Sequence, residues 1–106
     1  MIEEVDAKDA AARIAATPDA ILLDVREDEE LQIVSVSGAR HIPMGDIPSR
    51  LGELDPDVEI YCLCHHGMRS AQVAGYLAQQ GFDKVRNVRG GIDAWAIFVD
   101  EALPRY

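Results

Sequence analysis

Basic side chains are in short supply in this sequence: ten Lys and Arg stand against nineteen Asp and Glu, for a formal net charge of -9. A surface of that sign repels phosphate backbones and anionic lipid headgroups, which argues against nucleic acid or membrane as a general partner. Cysteine is scarcer still. Cys62 and Cys64 are too few and too close in sequence to build the disulfide framework of a small secreted domain, so a reducing compartment, the cytoplasm, is the expectation. Long apolar runs are missing as well, and no stretch approaches the ~20 residues that a membrane span requires. Met1 to Val5 carry two glutamates and no basic region, unlike a targeting segment. There is no low-complexity tract, linker composition or internal repeat, which excludes fibrous, disordered and solenoid architectures.

What remains is an ordinary globular composition. With 106 residues, 48% of them hydrophobic, the chain has room for one modest core and none for a second, so residues 1–106 are expected to form a single domain. Asp6 to Thr17 opens on a residue suited to an N-cap, is rich in alanine and is closed by Pro18, the marks of a first helix. Ala20 to Leu23 is an unbroken apolar run ending in the polar Asp24 and Arg26, the pattern of a strand buried on both faces. Val58 to Leu63 reads as a second such strand, and Val85 to Val88 supplies another short strand. Between them Val73, Tyr76 and Leu77 share one helical face, and Gly81 ends that segment. Gly90-Gly91 introduces a last helix with Ile92, Trp95 and Val99 on one side. Glycine and proline cut Glu27 to Asp57 into short pieces, of which only Asp46 to Leu54 has a helical pattern. The repeated alternation predicts an α/β fold, a mostly parallel central sheet of about five strands flanked by helices.

One stretch departs from the acidic average. From Ile60 to Phe82 there is no Asp or Glu, while His65, His66 and Arg69 lie inside it, so an anion can approach there. Cys64 stands where a strand gives way to a helix, and ligands of open parallel sheets bind beyond the carboxyl ends of the strands. Gly67 lets the loop turn tightly, and the backbone N–H groups around it, with the start of the helix near Ser70, form a concave anion site. A thiolate is itself an anion. The same field, with charge from Arg69 and from His65 or His66, is expected to lower the pKa of Cys64 and make it a nucleophile. The plainer reading of a cysteine at a strand end is a small buried hydrophobe. Cys62, inside the strand, fits that reading better, although its spacing from Cys64 also suits a resolving thiol.

The run Cys64-His65-His66-Gly67-Met68-Arg69-Ser70 resembles the active-site loop of rhodanese-like domains. Asp24-Val25-Arg26 resembles a strand-end motif of that family, Gly38-Ala39 with His41-Ile42-Pro43 its next motif, and Gly90-Gly91-Ile92-Asp93-Ala94-Trp95 its C-terminal signature. Together they span nearly the whole chain, and motif order makes the match far more specific than any one motif. The resemblance implies a sulfurtransferase. Its Cys64 takes a sulfane sulfur from thiosulfate, glutathione persulfide or a protein persulfide, holds it as a persulfide, and passes it to a thiophilic acceptor: cyanide, a small thiol or a protein thiol. That is a ping-pong scheme. The resemblance further implies that the backbone amides of His65, His66, Gly67, Met68, Arg69 and Ser70 cradle the outer sulfur and that Arg69 holds loop and charge in place. Asp24 and Arg26 are expected to give structural support, Trp95 to lie in the core, and no organic cofactor or metal to be needed.

The sequence departs from the family at Val34-Ser35-Val36-Ser37, where Gly-His-Ile-Pro is common ahead of the Gly-Ala pair; this bears on the local turn rather than on Cys64. His41, beside Arg40, is expected to be structural, while His65 and His66 are placed to tune acceptor preference. Three rival readings share some of these residues. Rhodanese-like domains also serve as interaction modules, but those often lack the cysteine, and Cys64 with Arg69 and a full loop favours the carrier. Cysteine-dependent phosphatases place five residues between nucleophile and arginine; here four intervene, His65 to Met68, so the loop closes around one sulfur atom and crowds out a tetrahedral oxyanion. Cys62, Cys64, His65 and His66 have zinc-ligand chemistry, yet ligands this close in sequence cannot easily surround a tetrahedral ion.

Overall fold

Every strand of the sheet runs parallel to its neighbours. The computed structural model describes residues 2–106, in the order β1 (Glu3–Asp6), α1 (Ala7–Ala16), β2 (Ile21–Asp24), α2 (Asp28–Ile33), β3 (Arg40–His41), two 3-10 turns (Met44–Asp46 and Pro48–Glu53), β4 (Ile60–Leu63), α3 (Met68–Gln79), β5 (Val85–Arg89) and α4 (Gly91–Phe98). The five strands are arranged β1-β5-β4-β2-β3. This is the α/β architecture that the strand-helix alternation predicts.

β4 lies at the centre, with Ile60, Tyr61, Cys62 and Leu63 all buried, which is why its sequence shows no polar alternation. Its register sets Leu23 of β2 and Asn87 of β5 beside Cys62. Successive side chains leave the sheet on opposite faces. Leu23, Ile60, Cys62 and Val85 pack with Val73, Ala74 and Leu77 of α3 on one face. Leu22, Tyr61, Leu63 and Val88 pack with Ala7 and Ala10 of α1 and with Ile92 and Trp95 of α4 on the other. The helices that follow β4 and β5 therefore depart to opposite faces, and the loop after Leu63 lies at the carboxyl end of the central strand β4, where open parallel sheets bind ligands.

Several expectations are corrected. Asp46 to Leu54 is not one helix: Gly45, Pro48 and Gly52 leave two 3-10 turns, and Arg50 has non-helical backbone angles. The segment Glu27 to Asp57 also holds an α-helix, α2, which has no buried residue and hence no hydrophobic stripe to announce it. β1 and β3 were not apparent either, β1 because only Val5 of its four residues is buried and β3 because it is two residues long. α3 starts at Met68, two residues before Ser70, since Gly67 takes a left-handed conformation and serves as its N-cap. Asp6 does precede α1, but its carboxylate makes no capping hydrogen bond and meets Arg89 Nη1 at 2.7 Å. Val99 lies past the end of α4 and is exposed, while Ile92 and Trp95 on that helix are buried. Among the described residues no helix is long and apolar enough to cross a membrane.

Candidate functional site

Cys64 follows the last residue of β4 and is 1% exposed, yet it forms the floor of a pocket of about 370 Å³ walled by His65, His66, Met68, Arg69 and Gln72. A larger hollow, of about 450 Å³ between Asp6, Lys8, Arg89 and Phe98, has no thiol in its wall, so chemistry rather than size selects the Cys64 pocket. Gly67 bends the loop back at φ +105°, and its N–H donates to Cys64 Sγ at 3.0 Å. The N–H groups of His65, His66, Met68, Arg69 and Ser70 have no acceptor among the described residues. They stand at the N-terminus of the twelve-residue α3, where unpaired donors and the helix dipole favour negative charge.

The loop is clamped from behind by α4. Ile92 N–H donates to the Cys64 carbonyl at 2.8 Å and Asp93 N–H to the His65 carbonyl at 3.2 Å. The first amides of one helix thus take up the carbonyls of Cys64 and His65, while the loop's own N–H groups, Gly67 apart, stay without an acceptor among the described residues. So close an approach needs a residue without a Cβ: at Gly91 an added Cβ would lie 2.4 Å from the His65 carbonyl oxygen and 2.5 Å from that of Cys64.

Side chains behind the thiol form a second layer. Ser70 Oγ lies 3.3 Å from Cys64 Sγ and 2.5 Å from Asn87 Oδ1. Asn87 Nδ2 donates to the Gly67 carbonyl and to the Glu4 carboxylate, each at 3.0 Å. Ser70 and Asn87 are buried. Cys62 is buried on the α3 face, and desolvation pushes its thiol pKa up, so its thiolate is disfavoured. Both cysteines are free thiols.

Arg69 faces away from the role of a free cation. Its guanidinium binds Glu30 of α2 in a two-pronged pair at 2.6 and 2.9 Å. The Arg69 hydrogen bonds, working against burial, hold the Glu30 carboxyl at about 2. The stretch without acids in sequence is therefore not without acids in space: Glu30 meets Arg69, Asp93 lies 4.0 Å from His66 Nε2, and Glu4 stands behind Asn87. Tyr106 lies against the loop, a contact that sequence patterning gave no sign of. Its ring stacks on His65 at 3.8 Å, its hydroxyl donates to Glu30 at 2.6 Å, and its carbonyl oxygen lies 2.8 Å from His65 Nε2. His65 also stacks on His66.

Asp24 and Arg26 lie outside the pocket. Arg26 is fully buried, pairs with Asp24 at 2.8 Å, and donates to the carbonyls of Glu30 and Val34 and to the Tyr106 hydroxyl. His41 reaches the Arg26 carbonyl at 2.6 Å. Val34, in the segment that departs from the family pattern, is thereby tied to Arg26 through its carbonyl. His65, His66 and Asp93 place one potential ligand atom each within 4.8 Å of one another. His65 is engaged by Tyr106 and Asp93 by Arg105, so these groups already have protein partners. Zinc chemistry at Cys62 is further disfavoured by its burial in the core.

The family model of the rhodanese-like domain matches residues 6–97 of the chain. A protein of Allochromatium vinosum named sulfurtransferase is 40% identical over 96 residues, which cover 91% of this chain and 90% of that protein. The thiosulfate sulfurtransferase GlpE of Tolumonas auensis is 29% identical over 85 residues, covering 80% of each. Among solved structures, a rhodanese-like domain protein from Staphylococcus aureus superposes with a TM-score of 0.84 at 31% identity, covering 99% of both chains. A rhodanese-related protein from Thermoplasma volcanium gives 0.81 at 31% identity over 96% of this chain and 95% of that one.

Proposed function

Because the chain belongs to the rhodanese-like domain family, we propose that it is a sulfurtransferase that carries sulfur as a persulfide on Cys64. The observation that carries this reading is the placement of Cys64 Sγ against the Gly67 N–H, in a pocket lined by the loop whose other amides have no acceptor among the described residues. The thiolate attacks the outer sulfur of thiosulfate, the S–S bond of the donor breaks, and sulfite leaves with the electron pair. Negative charge then rests on the outer sulfur of the enzyme persulfide, where the amides of His65 to Ser70 are aimed. In the second half-reaction a thiophilic acceptor, cyanide, a small thiol or a protein thiol, attacks that outer sulfur and releases the Cys64 thiolate. Glutathione persulfide or a protein persulfide serves the first step in the same way, the departing thiolate taking the place of sulfite.

Roles follow for the other residues. Arg69, charge-paired with Glu30, holds the start of α3 against α2 and contributes less free charge than its position in the sequence implies. Asp24 and Arg26 anchor the neighbouring loops. Met68, largely exposed at the pocket rim, and His65 and His66 face an incoming acceptor. The test is intact-protein mass after incubation with thiosulfate, native chain against Cys64→Ser. The expected result is a gain of one sulfur atom that reductant removes and that the variant lacks. Absence of any gain with thiosulfate and with persulfide donors would overturn the reading.

A further inference from the structure

The Ser70 hydroxyl has one proton and two neighbours that want it. It lies 2.5 Å from Asn87 Oδ1 and 3.3 Å from Cys64 Sγ. Which of them receives the proton is decided one shell further out. Asn87 Nδ2 has two hydrogens, and both are taken, one by the Gly67 carbonyl and one by the Glu4 carboxylate. Those partners only accept, so turning the amide over would set Oδ1 against a carbonyl and a carboxylate. The Asn87 oxygen must therefore face Ser70, and it can only accept. The proton of Ser70 goes to Asn87, and a lone pair of Ser70 faces the sulfur.

We propose that Asn87, oriented by Glu4, is a positioning residue that keeps the Ser70 hydroxyl from donating to Cys64 and so holds back ionisation of the thiol. With its lone pair toward sulfur, Ser70 accepts a hydrogen bond from the S–H group and stabilises the neutral form. When the thiol ionises and its proton passes to solvent, Ser70 can serve the thiolate only by turning away from Asn87, which strands a buried amide oxygen. The Gly67 N–H is left as the side-on donor to the anion. The arrangement favours states in which Sγ itself is uncharged: the thiol, and the persulfide, whose charge sits on the outer sulfur among the loop amides. On the sulfur-carrier reading above, this biases the protein away from the free thiolate, toward the thiol when empty and the persulfide when loaded.

Other charged and titratable groups surround the loop: Arg69 of α3 with Glu30 of α2 upon it, Cys62 of β4, His65 and His66 with Asp93 of α4 beside them, and Tyr106 over His65. They are untouched by the substitutions that test the relay. The experiment is the pH profile of Cys64 alkylation by iodoacetamide, read by intact mass, for the native protein, Asn87→Ala, Ser70→Ala and the double variant. Asn87→Ala frees Ser70 to donate to sulfur, and the expected midpoint falls by about half to one pH unit, or up to about tenfold faster alkylation below the midpoint. In the Ser70→Ala background the same substitution should produce no such fall. Glu4→Gln, at an exposed residue outside the core, should move the midpoint the same way but less, and part of that shift should vanish without Ser70. Midpoints unchanged in Asn87→Ala and Glu4→Gln, or an Asn87→Ala shift of equal size with and without Ser70, would overturn the proposal. Alkylation needs no sulfur donor, so this result stands apart from the success or failure of persulfide loading.

Discussion

Gly91 and Gly38 both have positive φ, +62° and +84°, yet only one of them bears on the reactive loop. A Cβ at Gly38 would meet nothing within 4 Å, so Gly38→Ala carries only the strain of a left-handed backbone, about 1 kcal/mol. A Cβ at Gly91 would collide with the carbonyls of Cys64 and His65. Either α4 or the loop must yield, and with it the contact between Ile92 N–H and the Cys64 carbonyl. Gly91→Ala is therefore expected to cost more stability than Gly38→Ala in urea denaturation and to slow sulfur loading from thiosulfate, on the order of a hundredfold for a loop displaced by about 1 Å. Gly38→Ala should load at the native rate. At this scale the sequence singled out Cys64 and its glycine turn, since a cysteine followed by a tight turn has local consequences. It did not show that Glu4, Asn87 and Tyr106 converge on the loop, because each reaches it from a segment distant in sequence.

α2 illustrates how an element without a buried face is held. Glu30 accepts the Glu27 N–H at the start of the helix and, from the other side, binds Arg69 and Tyr106. One carboxylate thus closes the first turn of α2 and docks it on α3. Its pKa is lowered from 4.5 to about 2, chiefly by the Arg69 hydrogen bonds. A depressed carboxylate contributes stability that is fully present above its unfolded value and is lost as pH falls. Glu30→Gln keeps an acceptor for Glu27 but not the charge, so it should destabilise the protein by about 1 kcal/mol near neutral pH. The gap between native and variant should close as pH falls from about 4.5 to about 2, which thermal melts of both across that range would check. A gap that stays constant with pH would show the ion pair to be idle. No hydrophobic period reports such a helix, and its acidic first turn, Asp28, Glu29 and Glu30, was the signal available.

Across the whole molecule, Arg26 joins parts that no single element connects: the end of β2 through Asp24, the end of α2 through the Glu30 and Val34 carbonyls, and Tyr106. Its partners use the guanidinium from several sides, and both it and Asp24 are buried. Arg26→Leu leaves the Asp24 carboxylate without its counter-charge, and a loss of about 3–5 kcal/mol is expected in urea denaturation. The double variant Asp24→Asn with Arg26→Leu should recover part of it, because the stranded charge is gone. The chain by itself determined the fold class, since the apolar runs at β2 and β4, the short β5 and the periodic helical stretches on either side of β5 can bury their faces only as a parallel sheet between helices. It also determined where the cysteine loop lies, because a strand end and a glycine turn are local. Tertiary structure alone decided the surroundings. β1 gained its place by pairing with β5, and the loop that is free of acids in sequence came to face Glu4, Glu30 and Asp93. Those outcomes depend on the strand order β1-β5-β4-β2-β3, which brings segments distant in sequence together at one end of the sheet, and such proximity leaves no local periodicity to read.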